Sequence, residues 1–365
     1  MARTTVVHLV HSTDVGGVET AAARLQDALA DDPALDYRLY ALADTARGSA
    51  RAFAPSFTGG GLNSPRALAR VVRRLRADPP DVLVTSLWRS TLVGLLAALP
   101  PSTAWAVYLH NTRWTNRADA LVHRLARSRA DAVLADSESA RRALVPARLH
   151  ARTTVVRPVA APLAVGSPAP LGAPVRLLFW GRLAEQKRLD RAVDLLALLL
   201  RDRPGAFTLE LIGPDGGQWE RLRARAARAG IAGALSWAGP LDRTALAARA
   251  ARGHLFVQLS DFEGLGMSAA EAAAAGLVPV VTPVGDVGAT TADGRGAIHV
   301  GTVDGAGVHV TGADLRRAAD RIRALIDDPE AFAAARAQAR RTALPDFVAE
   351  FRAGVLSLAG AAACA

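Results

Sequence analysis

What most limits the folds open to this chain is an alternation. Short apolar runs rich in β-branched residues take turns with longer stretches of helical spacing, in two series. The first series predicts strands at TTVVHLVHS (4–12), RLYALAD (38–44), DVLVTSL (81–87), STAWAVYLHN (102–111) and ADAVLADS (130–137). Helices are predicted between them, notably SPRALARVVRRLRADPP (64–80), with Ser64 as N-cap and Pro65 in the first turn. Strands that are apolar along their whole length fit a parallel sheet covered by helices on both faces. A run of prolines and glycines, RPVAAPLAVGSPAPLGAP (157–174), breaks the pattern and reads as a linker. The second series starts at VRLLFWG (175–181) and ends at VPVVTPV (278–284). A chain of 365 residues is long enough for two cores. The expected fold class is therefore α/β, with two doubly wound domains facing each other across a cleft at the carboxyl ends of their strands. Ligands of open α/β sheets bind at such ends. The expected boundaries are 1–160, a linker at 161–174, 175–340, and a helix at 341–365 open to packing back on the first domain.

Several functions are disfavoured at once. The one cysteine, Cys364, leaves no intrachain disulfide and no cysteine-built zinc site. After Met1, VVHLV is too short for the core of a signal peptide, and TLVGLLAALPP and AVDLLALLL fall short of the roughly 18 residues of a membrane span. A cytoplasmic protein is expected. The net charge of +10 is lopsided, about +8 of it falling in residues 1–165. That asymmetry suggests an anionic partner: a phosphorylated substrate or a membrane surface. Nucleic acid ranks last, since no helix-turn-helix, zinc finger or basic-aromatic motif accompanies the charge.

Four places carry candidate chemistry. Gly16 and Gly17 lie between the first strand and a helix beginning near Glu19. Glycines there let backbone approach an anion at a helix N-terminus, although a tight turn explains them equally well. GRLAEQKRLD (181–190) follows the first strand of the second series and places Arg182 and Lys187, the only lysine of the chain, at the mouth of the sheet. A guanidinium fork and a compact ammonium suit a diphosphate; the alternative is a solvated basic loop. SDFEGLGMSAAEAAAAG (260–276) sets Glu263 and Glu271 eight residues apart around Gly264 and Gly266, with Glu271 expected about two turns into a helix. The surrounding alanines point to a close-packed helix, where an unpaired carboxylate is costly. His110 ends the strand AWAVYLH. No Asp-x-Asp element sits in a suitable loop, so no metal site is expected.

Taken in this order, these pieces resemble the GT-B glycosyltransferases of family 4. The resemblance covers nearly the whole chain and rests on Gly16, Gly17 and Glu19, on His110, on ADAVLADSESARRAL, on GRLAEQK, and on the Glu-x7-Glu element followed by AAAAGLVPVV. It implies two Rossmann-like domains and a nucleotide-sugar donor. Arg182 and Lys187 would bind the diphosphate, Glu263 the sugar hydroxyls and Glu271 the ribose. Backbone at Leu265, Gly266 and Met267 would face phosphate and sugar, and His110 the transferred sugar and acceptor. The chain departs from the pattern in reading VVRPVAAP where Asn-Gly is common, TPVGDVGATT after the second Glu, and Gln186-Lys187-Arg188 where Lys-Gly is frequent.

The resulting expectation is a retaining glycosyltransferase that uses a nucleoside-diphosphate sugar, a hydroxyl acceptor and no metal or other cofactor. A sugar-nucleotide epimerase or a catalytically silent binding paralogue are the alternatives. Arg66, Arg70, Arg73 and Arg74 share one face of the predicted 64–80 helix, with Leu68, Val71, Val72 and Leu75 opposite. They suggest reversible contact with an anionic leaflet and a lipid-linked acceptor, against the alternative of a merely wet helix face.

Overall fold

The computed structural model describes residues 3–14, 16–45, 52–158, 163–166, 169–304 and 307–363. They form two compact units, Met1–Ala160 with Pro345–Ala365, and Ala161–Leu344. Cys364 lies outside the described residues.

Unit 1 runs β1 (Thr4–Ser12), α1 (Gly17–Ala28), β2 (Leu35–Ala43), β3 (Phe57–Thr58), α2 (Pro65–Ala77), β4 (Val82–Ser86), α3 (Trp88–Ala97), β5 (Ala104–Leu109), α4 (Arg117–Arg129), β6 (Ala132–Ala135), α5 (Glu138–Leu144) and β7 (Thr153–Val155). The strands make a seven-stranded sheet in the order β3-β2-β1-β4-β5-β6-β7, parallel throughout. Side chains alternate across it, so both faces must be covered. Val6, Val82 and Val84 point into one core and Val7, Leu9 and Leu83 into another. In α2, Ser64 Oγ accepts from the Ala67 amide as N-cap, and Ala67, Val71, Val72 and Leu75 are buried. Leu68 is half-buried.

Unit 2 runs β8 (Val175–Trp180), α6 (Leu189–Asp202), β9 (Phe207–Ile212), α7 (Trp219–Arg228), β10 (Leu235–Trp237), α8 (Arg243–Arg252), β11 (Leu255–Gln258), α9 (Met267–Ala274), β12 (Val278–Val281), α10 (Val287–Thr290) and β13 (Ile298–His299). A hairpin of β14 (Thr302–Asp304) and β15 (Gly307–His309) follows, then α11 (Gly312–Asp327) and α12 (Pro329–Ala339). Its sheet is also parallel, in the order β10-β9-β8-β11-β12-β13.

Two segments bear on the expected boundaries. Of the expected linker at 161–174, residues 161, 162, 167 and 168 lie outside the described residues. Its remainder packs on unit 2: Leu163 enters that core, the Ala169 amide donates to Ala251 O at 2.8 Å, and Pro170 O lies 3.0 Å from His254 Nε2. The last helix, α13 (Phe347–Ala363), belongs to unit 1. Phe347, Phe351 and Val355 are buried in its core, the Arg157 guanidinium donates to Glu350 at 2.7 Å, and that of Arg352 donates to Asp32 at 2.7 Å.

Candidate functional site

Strand order in unit 2 reverses between β8 and β11, so the loops leaving these two strands diverge and open a crevice at their carboxyl ends. Both candidate stretches lie there. Lys187 closes a single 3₁₀ turn, Glu185–Lys187, and its Nζ is 2.7 Å from Glu263 Oε1. The Glu263 side chain is 9% exposed and that of Lys187 17%, so the pair is largely withdrawn from water. Arg182, by contrast, is exposed and forms no ion pair among the described residues. The two loops are tied together: the Asp261 amide donates to Gln186 O at 2.9 Å, and the Asp261 carboxylate takes Arg191 at 2.8 Å and Arg188 at 3.2 Å.

The approach to α9 depends on glycine. Gly266 has φ +71°, and a Cβ there would lie 2.2 Å from Val287 Cγ2. Gly285, at φ +58°, lets the next loop brace the backbone of Glu263 and Gly264, whose carbonyl oxygens would stand 2.3 Å from a Cβ. Because 264–266 stays non-helical, α9 starts only at Met267. Glu271 is thus its fifth residue, little more than one turn in, and not two turns in as the uninterrupted spacing suggested. Gly264 and Leu265 are buried and Met267 half-buried. Glu271 is 6% exposed. Its carboxylate accepts from Trp180 Nε1 at 3.2 Å and lies 3.4 Å from Arg243 Nη1. Nearby in the chain, Gln258 Oε1 and Ser260 Oγ are buried without a hydrogen-bond partner among the described residues. Sequence reading did not single out Trp180, Arg243 or Asp261. Trp180 carried the one available signal, as an aromatic donor directly before the Gly181 turn.

In unit 1, Gly16 caps α1 in an extended conformation, Gly17 begins the helix, and Glu19 is 8% exposed in its first turn. His110 follows β5. Its Nε2 lies 3.0 Å from Ser86 Oγ, its Nδ1 3.8 Å from Asp136 Oδ2, and its ring packs on Tyr108 at 4.3 Å between centroids. Burial, and secondarily the nearby His8, His123 and His11, lowers its pKa to about 3. The imidazole is therefore neutral at physiological pH. Arg66, Arg70 and Arg73 are exposed on α2 and Arg74 is half-buried. They are not a uniform solvated row: Arg70 donates to Gly59 O at 3.1 Å and Arg74 to Asp78 at 2.8 Å, a carboxylate shared with Arg38. Among the described residues, no group of three or more His, Cys, Asp or Glu side chains is arranged to hold a metal ion.

Two family models divide the chain between them. Residues 2–160 match the glycosyl transferase 4-like domain, and residues 169–342 match glycosyl transferases group 1. The chain belongs to the GT-B glycosyltransferases of the GT4 type. Solved structures share this glycosyltransferase's fold. Anabaena HepE, in complex with UDP and glucose, superposes with a TM-score of 0.77 at 18% identity, over 98% of this chain and 100% of that one. Sucrose-phosphate synthase from Thermosynechococcus elongatus gives 0.75 at 18% identity, over 98% of each chain. Curated relatives are more similar in sequence over a shorter span. Glycogen synthase of Mycobacterium tuberculosis is 34% identical over 175 residues, 48% of this chain and 39% of that protein. D-inositol 3-phosphate glycosyltransferase of Acidothermus cellulolyticus is 34% identical over 169 residues, 43% of this chain and 35% of that protein. The glycosyltransferase thus spans less than half the length of the curated relatives it matches.

Proposed function

We propose that this glycosyltransferase takes a sugar from a nucleoside-diphosphate donor and passes it, with retention, to a hydroxyl acceptor without a metal ion. The observation that carries this reading is the convergence of Arg182, the Lys187–Glu263 pair at 2.7 Å and the N-terminus of α9 on one switch point. Departure of a nucleoside diphosphate builds negative charge on the leaving oxygen. Preorganised cations and helix-end N–H groups stabilise such charge in the transition state. Arg182, exposed and without an ion-pair partner among the described residues, receives the diphosphate as a fork, while Lys187 moves from Glu263 to the phosphate as donor arrives. Glu263, relieved of the ammonium, turns to the sugar hydroxyls. Glu271, fixed by Trp180 and Arg243, holds the ribose. The complexes of HepE with UDP and glucose and with UDP-glucose support a nucleotide-sugar donor. Retention is inferred from the family.

The acceptor is read as lipid-linked or otherwise anionic, and the enzyme as cytoplasmic and reversibly held at the inner leaflet. No helix among the described residues is long and apolar enough to cross a membrane. Three exposed large hydrophobics of the same unit, Leu96 on α3 and Leu121 and Leu125 on α4, support a surface contact. A panel of nucleotide sugars, assayed for nucleoside diphosphate release with and without EDTA, tests the whole reading. Release that needs an acceptor and survives EDTA is expected. Full, Mg²⁺-reversible inhibition overturns metal independence, epimerisation without release indicates the epimerase, and binding without turnover the silent paralogue.

A further inference from the structure

His8, Ser86 and His110 come from the adjacent strands β1 and β4 and from the end of β5, and with Tyr37 their side chains form a line. Tyr37 Oη lies 2.7 Å from His8 Nδ1, His8 Nε2 lies 2.8 Å from Ser86 Oγ, and Ser86 Oγ lies 3.0 Å from His110 Nε2. Beyond the far end, Asp136 Oδ2 stands 3.8 Å from His110 Nδ1, outside hydrogen-bonding distance but close enough for its charge to be felt. Burial keeps both rings neutral, with pKa values lowered to about 3 for His8 and for His110.

A neutral imidazole has one N–H and a hydroxyl one O–H. Ser86 is fully buried, so its single proton must be used on one of the two rings. That leaves two settings. In the first, Tyr37 donates to His8 Nδ1, His8 Nε2–H donates to Ser86, Ser86 donates to His110 Nε2, and His110 carries its proton on Nδ1. In the second every bond is reversed. The phenol proton of Tyr37 then loses its acceptor in this line, and His110 Nδ1 turns a lone pair toward the Asp136 carboxylate. Both ends of the line therefore select the first setting.

We infer that Tyr37, His8 and Ser86 are positioning residues that lock His110 in its Nδ1–H tautomer, so that the ring meets the sugar as a hydrogen-bond donor and not as a base. The inference rests on the assignment of His110 to the transferred sugar. A sugar hydroxyl oxygen is the acceptor that Nδ1–H fits. The wrong tautomer would offer a lone pair in the same place.

Long-range ¹H–¹⁵N spectra of the full-length protein labelled with ¹⁵N-histidine, at pH 7.5, read the tautomers directly. Signals of His110 and His8 are identified by their loss in His110→Asn and His8→Asn. The expected result is a proton on Nδ1 of His110 and on Nε2 of His8. Ser86→Ala should turn His110 into a mixture of tautomers and lower kcat by about tenfold with donor KM nearly constant, the pattern of a lost transition-state interaction. Tyr37→Phe should shift the same signals less, because Asp136 still biases the far end. A wild-type His110 protonated on Nε2 overturns the inference, as does Ser86→Ala with unchanged tautomer and rate. If Nδ1–H is found but no nucleotide sugar is turned over, the lock stands and the catalytic reading falls.

Discussion

Arg188 adopts φ +46° and ψ 47°, in the left-handed region where glycine is at ease and an L side chain is disfavoured by about 1 kcal/mol. Its side chain offsets that strain by pairing with Asp190 at 2.9 Å and Asp261 at 3.2 Å. This explains why the chain departs here from the frequent Lys-Gly: the loop geometry is retained, and the arginine is fastened to the neighbouring loop. The sequence exposes the substitution but not its reason, because φ and the partner at Asp261, over seventy positions on, are tertiary facts. Lys187 poses the reverse case, legible as an oddity in an arginine-rich chain and explained by a partner, Glu263, that was itself singled out. Lys187→Ala and Arg182→Ala should each lower kcat/KM by roughly 10²-fold, with Lys187→Arg only a partial rescue because a planar fork does not replace a point charge. Wild-type rates in Lys187→Arg would remove any role for the ammonium. Isothermal titration with the free nucleoside diphosphate should separate the two carboxylates. Glu271→Ala and Arg243→Ala should weaken binding by about tenfold, the scale of one charge-assisted hydrogen bond. Glu263→Ala should leave binding nearly intact while transfer fails. Equal affinities in all three would return Glu271 to a packing role.

Elements were the most legible level. The strands and helices of both sheets follow from apolar runs and helical spacing, and so does the amphipathic face of α2. What periodicity could not supply was the exact start of α9, set by the left-handed Gly266, or the engagement of Arg70 and Arg74 by groups outside the regular part of their helix. That engagement sharpens the membrane prediction. Arg66 and Arg73 are the exposed arginines of α2 whose side chains show neither an ion pair nor a hydrogen bond among the described residues, and each near an anionic bilayer contributes about 1 kcal/mol. Co-sedimentation with phosphatidylserine-containing liposomes should therefore fall by roughly an order of magnitude in Arg66→Ser/Arg73→Ser, and less in Arg70→Ser/Arg74→Ser. Binding should fade as salt screens it. A wild type that ignores these liposomes at low salt makes α2 a wet face and the acceptor a soluble one.

For the whole molecule, the buried histidines set an acid limit. His8 and His110 titrate near 3 in the folded chain against an ordinary 6.5, so below about 6.5 the unfolded state binds more protons. Their neutral burial is thus harmless above that pH and becomes a liability below it, each ring removing about 1.4 kcal/mol per pH unit until its folded pKa is reached. Melting temperatures at pH 7.5 and 5.5 should show unit 1 weakening first; a flat profile across that interval would mean the rings protonate without unfolding. The division into two units was legible, since the prolines and glycines of 157–174 interrupt everything. The discontinuity of unit 1 was legible only as an option, because an i, i+4 pair such as Phe347 and Phe351 marks a helix face without saying which sheet it covers. That discontinuity separates the order of synthesis from the order of folding. On the ribosome, β1 to β7 are made first, yet one face of their sheet waits for Phe347, Phe351 and Val355, which emerge only after all of unit 2. Unit 2 is contiguous and can close while its elder neighbour is still an open-faced intermediate for chaperones to guard. A protein split after Leu344 should accordingly be repaired by supplying residues 345–365 as a separate peptide, whereas a cut at the expected 160/161 boundary yields a first half that never matures alone.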